Sequence, residues 1–111
     1  MAINSKRKGA TGERELSRKL KEYGFKARRS VQYNGKADDG KADLVGLPGI
    51  HIESKRVERL NLYDAMAQAI HDAKKGELPS VFHRKNHSEW LVTMRLVDWI
   101  ELYKEYEGAE K

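Results

Sequence analysis

The stretch KADLVGLPGIHIESKRV, Lys41 to Val57, is the most strand-like of the chain, yet it carries Asp43, Glu53 and Lys55. Side chains alternate across a strand, so His51, Glu53, Lys55 and Val57 share one face while Ile50, Ile52, Ser54 and Arg56 share the other. With Leu47-Pro48-Gly49 as the loop, Gly46 pairs with Ile50 and Asp43 falls opposite Glu53. A shorter, even-numbered loop would send the two carboxylates to opposite faces, because register controls facing. The sequence does not fix the register, and the odd-length loop, with Gly49 in a special backbone conformation, is compatible with it. Like charges facing each other destabilise a ribbon, and burial raises the cost. A divalent cation reverses the sign of that argument. Mg²⁺ typically takes one or two carboxylates together with waters and phosphate oxygens. Lys55, two residues on, would then stand where it can steer a water nucleophile or neutralise developing charge.

Other elements must bring the remaining groups to this ribbon. ATGERELSRKLKEYGF has helical spacing, with Leu16, Leu20 and Tyr23 on one stripe and Gly24 as its stop. Glu13 lies three residues before Leu16 and so on the same stripe. A carboxylate there needs a partner, either the cation or a basic residue near it. Glu15 and Glu22 fall off that stripe. FKARRSVQY reads as a first strand, NGKADDGK as a mobile loop, and the opening stretch as strands two and three. NLYDAMAQAIHDAKKG reads as a helix capped by Asn61, apolar along Leu62, Ala65, Met66, Ala69, Ile70 and Ala73, and ended by Gly76. SVFHR and EWLVTMRL read as two further strands around the turn Lys85-Asn86-His87-Ser88, and VDWIELYKEYEG as a closing amphipathic helix. That order of elements predicts a mixed α/β layer fold.

Composition narrows the partners. The 111 residues fit one domain, 1–111, with residues 1–8 as a basic arm. There are 22 Lys and Arg against 17 Asp and Glu, a net charge of +5 that favours a polyanion, most simply nucleic acid. Cysteine is absent, which excludes disulfides, thiolate catalysis and cysteine-based zinc sites, and an intracellular location is the simplest expectation. No apolar run is long enough to cross a membrane, and the basic N-terminus lacks the apolar core of a signal peptide. His71, His83 and His87 read as structural or surface residues, and Asp38-Asp39 lacks the ligand pattern of a calcium loop.

A helical Glu, a strand Asp and a Glu-x-Lys on the next strand resemble the PD-(D/E)XK nuclease superfamily. The matching residues are Glu13, Asp43 in KADLVG, and Glu53-Ser54-Lys55 in HIESKRV. The order of elements is similar to that superfamily's αβββαβ core. Within it, KGATGERELSRKLKEYGF, the Gly-rich loop and the hairpin resemble archaeal-type Holliday junction resolvases, and similar small proteins occur in phage genomes. Residues 8–75 carry the likeness. The resemblance implies a restriction-endonuclease-like fold, a central mixed sheet flanked by helices. It implies an Mg²⁺-dependent endodeoxyribonuclease, with Mn²⁺ as a substitute ion and no small-molecule cofactor. Such a protein nicks opposed strands of a four-way DNA junction as a two-fold homodimer, in the host cytoplasm if phage-encoded. Asp43, Glu53 and the Ser54 carbonyl would bind the metal, Glu13 would complete the site directly or through water, and Lys55 would act in water activation. Gln68 resembles a polar residue that some members place near the site. Ser30 resembles a loop serine of some resolvases, at a longer spacing to Asp43, and Ala42 stands where the superfamily has proline. A related phage nickase or flap endonuclease, and a non-catalytic DNA-binding subunit, are the alternatives.

Lys6, Arg7, Lys8, Arg14, Arg28, Arg29, Lys36, Lys41, Arg56 and Arg59 surround the acidic set in sequence and are candidates for phosphate contacts. Such contacts position DNA without reading bases. Nothing resembles a recognition helix or stacked aromatic platform, so DNA shape rather than sequence is the expected determinant. Trp90, Trp99, Tyr103 and Tyr106 are candidates for a dimer surface, with Trp99 expected in the core.

Overall fold

The computed structural model describes residues 5–33, 36–37 and 40–109, and for residues 5–8, 32–33 and 36–37 it describes the backbone. The first helix, α1, runs Ser5–Glu22. It therefore begins before the expected ATGERELS segment, and the backbone of Lys6, Arg7 and Lys8 belongs to the helix rather than to a separate arm. Gly24, at φ +95°, ends it. The Gly24 N–H donates to Lys21 O at 2.9 Å and the Phe25 N–H to Leu20 O at 3.2 Å. Those two bonds form the paired C-terminal cap that needs a left-handed residue, which glycine supplies without a Cβ penalty.

After α1 come β1 (Arg28–Arg29), β2 (Gln32–Tyr33), β3 (Lys36–Ala37), β4 (Leu44–Val45), β5 (Ile50–Arg56), α2 (Leu62–Asp72), β6 (Leu78–Arg84), β7 (Leu91–Met94) and α3 (Leu96–Ala109). The main sheet has the order β1-β4-β5-β6-β7. Its pairs are antiparallel except β5–β6, which is parallel. A parallel pair needs a crossover, and α2 is that crossover. Leaving β2 and β3 aside, the order helix, three strands, helix, two strands, helix is the one expected. The protein is α/β, with the mixed sheet and αβββαβ core of a restriction-endonuclease-like fold.

Each face of the sheet takes one helix, because neighbouring side chains on β5 and β6 point opposite ways. Leu16 of α1 packs with Leu44, Ile52 and Phe82 on one face. Ala65, Met66 and Ala69 of α2 pack with Val81 on the other. Burying each large aliphatic or aromatic side chain contributes about 1.5–3 kcal/mol. Gly12 fixes how closely α1 approaches: a Cβ there would lie 2.5 Å from Arg56 Cβ on β5.

Several local expectations change. FKARRSVQY is not one strand: β1 stops at Arg29, and Gln32–Tyr33 turn away to pair with Lys36–Ala37 in a separate ribbon. Part of the expected NGKADDGK loop is therefore strand, while Asn34, Gly35, Asp38 and Asp39 lie outside the described residues. Asn61 caps α2 as expected, accepting the Asp64 N–H at 3.1 Å. The helix ends at Asp72 rather than Gly76, because Ala73 takes extended backbone and the chain must reach β6, where the Leu78 N–H donates to Gly49 O at 2.8 Å. Tyr23 and Ile70, both expected on buried stripes, are exposed, as is Trp99, placed by sequence in the core.

Candidate active site

The geometry starts from the β4–β5 hairpin. Leu44 pairs with Ile52, the register that the Leu47-Pro48-Gly49 loop requires, so Asp43 and Glu53 are neighbours across the ribbon. Gly49 does adopt the special conformation, at φ +89°. Gly46, at φ +123°, has no room for a side chain, since a Cβ would meet Lys26 O at 2.5 Å. The loop thus holds β4 hard against the segment after α1.

Glu53 points to the α2 face and is 2% exposed; it is among the few charged residues in the core. Asp43, at the mouth of the hairpin, is half-buried. Its pKa is pushed from 3.8 up to about 7. Burial is the largest cause and the Glu53 charge the next; the Ser54 N–H pulls the other way, Glu13 adds a smaller push, and Lys55 a smaller pull. The two carboxylates therefore repel through a medium that screens poorly, which is the condition a cation relieves.

Backbone and side chains hold the pair in place. The Ser54 N–H donates to Asp43 Oδ2 at 2.7 Å, so this residue's observed contribution is its amide on Asp43. Ser30, whose spacing to Asp43 is longer than the family pattern, nevertheless lies beside the site. Its N–H donates to Asp43 O at 3.0 Å and its hydroxyl to Ala42 O. Lys55 Nζ lies 3.5 Å from Gln68 Oε1 on α2, so the strand lysine and the helix glutamine meet.

Glu13 is arranged differently from a direct ligand. Its Oε1 accepts from Arg29 Nε at 2.9 Å, which gives the carboxylate the basic partner its place on the stripe required. Among the described residues, no group of three or more His, Asp or Glu converges closely enough to hold a metal ion. The carboxylates that stand side by side here are Asp43 and Glu53, which face each other across the ribbon.

The basic candidates divide. Arg14, Arg28, Lys41 and Arg59 are exposed. Arg29 is tethered to Glu13 but 43% exposed at its side chain. Arg56 is held by the fold: Nη2 donates to Asn86 Oδ1 at 3.0 Å, and Nε lies 3.5 Å from Glu15. The side chains of Lys6, Arg7, Lys8 and Lys36 lie outside the described residues.

Sequence reasoning passed over three contributors. Glu15 joins α1 to β6 and to the start of β7, accepting from Arg84 and, at 3.1 Å, from Trp90 Nε1. Its partners are 69 and 75 residues away, which no local pattern reveals. His51 is 1% exposed and lies against Glu53. Glu77 lies on the other side of His51. The alternation of β5 does place His51 and Glu53 on one face, so that pairing was readable; its burial was not.

A family model described as archaeal Holliday junction resolvase (Hjc) matches residues 4–93. No curated protein and no solved structure gives a significant match.

Proposed function

Because the chain belongs to the archaeal Holliday junction resolvase family, and is therefore a resolvase-like nuclease of branched DNA, we propose that it nicks opposed strands of four-way junctions by Mg²⁺-dependent hydrolysis. The observation that carries this reading is the adjacent Asp43–Glu53 pair, where burial first and the Glu53 charge second lift the Asp43 pKa to about 7. Two adjacent carboxylates withdrawn from water are costly unless a cation joins them. When bound, Mg²⁺ would acidify a water and polarise the scissile phosphate.

The chain's own groups would do the rest. The Ser54 N–H holds the Asp43 carboxylate in one orientation. Lys55, steadied by Gln68, would offer its ammonium to charge developing on the phosphate or to the attacking water. Glu13, held by Arg29, would reach the site through water. Arg14, Arg28, Lys41 and Arg59, with Arg29 at the rim, would hold the backbone of the junction arms. Binding of this kind weakens as salt rises.

A two-fold pair of subunits would match the two opposed cuts. Support for assembly comes from α3, which lies beyond the family match. Its single buried residue is Asp98, and Leu96, Val97, Trp99, Tyr103 and Tyr106 are exposed along it. Trp99 and Tyr103 stack with ring centroids 5.2 Å apart. A contiguous apolar face of that kind marks an interaction surface.

The test is cleavage of synthetic four-way, flap and linear duplex DNA, with Mg²⁺ and with EDTA. Paired nicks in the junction alone, lost in EDTA, are expected. Preferential cutting of flaps would move the reading to a flap endonuclease of the same superfamily, and binding of junctions without cleavage under any divalent ion would overturn the enzymatic reading.

A further inference from the structure

His51 is a polar ring at 1% exposure in the central strand of the main sheet. Burying such a group is unfavourable unless its nitrogens are answered, and a carboxylate stands near each. Nε2 lies 3.3 Å from Glu53 Oε1. Nδ1 lies 3.9 Å from Glu77 Oε1. Glu77 is itself fixed, since its Oε1 accepts the Lys74 N–H at 2.8 Å and its own N–H donates to Lys74 O at 3.0 Å. The result is a row, Glu77–His51–Glu53, running from the turn before β6 into the candidate metal site.

We propose that His51 is a positioning residue that sets the Glu53 carboxylate for divalent-cation binding, with the Glu77 carboxylate on the ring's other side. An ionised Glu53 can only accept, so Nε2 carries a proton and donates to Oε1, while Glu77, 3.9 Å from Nδ1, acts on the ring as a nearby charge and not as a hydrogen-bond partner. That bond stops the carboxylate from rotating and leaves its second oxygen a fixed direction to offer. Carboxylates that bind metals are commonly held by such a neighbour, and losing it costs about 10–100-fold in affinity or activity. Aliphatic packing would fill the same space on β5 without orienting anything, so volume alone does not account for a histidine there.

The inference rests on the metal-dependent reading above, and the experiment separates the two. Mn²⁺ binding to the full-length chain is measured by calorimetry for wild type, His51→Leu and His51→Gln. Junction binding in EDTA and thermal melting are measured alongside. Leucine removes the donor, whereas the glutamine amide can place an N–H near the Nε2 position. The expected result is Mn²⁺ affinity lowered about 10–100-fold in His51→Leu, substantially restored in His51→Gln, with junction binding in EDTA unchanged in both. Wild-type affinity in His51→Leu, or equal losses in the two variants, would overturn the positioning role while leaving the metal site standing. A wild-type protein that binds no Mn²⁺ would overturn the metal-dependent reading, and with it this inference.

Discussion

Asp43 is the residue on which the chemistry of the site turns. Its folded pKa of about 7 lies above the ordinary 3.8. A carboxyl raised in this way adds stability that is complete below about pH 4 and is lost as pH climbs through about 7, on the order of a few kcal/mol. Metal-free protein should therefore melt at a lower temperature at pH 8 than at pH 5, and Asp43→Asn should melt higher than wild type at pH 8. His83, whose pKa burial lowers, works in the opposite direction and partly offsets the fall of the wild type between pH 5 and pH 8, but it is common to both proteins and cancels between wild type and Asp43→Asn at pH 8. An Asp43→Asn variant no more stable than wild type at pH 8 would show that neither burial nor the Glu53 charge penalises the Asp43 carboxylate. The same substitution should lower Mg²⁺-dependent cleavage by about a thousand-fold or more, several kcal/mol of transition-state stabilisation. The adjacency of Asp43 and Glu53 was half legible in the sequence: strand alternation is a local rule, but the register set by the loop length is fixed only by the pairing of Leu44 with Ile52. The Arg29 partner of Glu13 was not, since it depends on where β1 leaves α1. Nor was the Glu15 link to Arg84 and Trp90, which exists only once the sheet has closed.

Among the elements, α1 is docked at one point that a methyl group would disturb. Gly12 faces Arg56 Cβ with no space for a side chain, whereas Gly9, one turn earlier, has nothing near it. Gly9→Ala should stabilise the protein by about 0.5–1 kcal/mol through helix propensity. Gly12→Ala should destabilise it by about 1–3 kcal/mol, because overpacking pushes the helix off β5, and should lower cleavage as Glu13 moves with the helix. Equal stability of the two variants in denaturant melts would contradict the docking geometry. Helix positions were readable from apolar spacing, the Asn61 cap and Gly24. What local patterns missed were decisions made by tertiary contacts: the departure of Gln32–Tyr33 into a second ribbon, and the early end of α2 where the chain turns to start β6.

At the scale of the molecule, the family match ends at residue 93 and α3 continues to Ala109. The helix carries Asp98, Glu101, Glu105 and Glu107 against Lys104 on a chain that is basic as a whole, so its apolar face suits a protein surface better than DNA. Sequence placed Trp99 in the core because tryptophan on an amphipathic helix usually faces inward; α3 turns it outward. Sedimentation should show a dimer for wild type and a smaller species for Trp99→Lys with Tyr106→Lys, and an unchanged dimer would move the interface elsewhere.

The central claim is that one cation joins Asp43 and Glu53, and a crystal grown with Mn²⁺ addresses it most directly. An anomalous peak is predicted within coordination distance of an oxygen from each of the two carboxylates. Manganese bound only elsewhere on the protein, with this pair left bare, would contradict the claim.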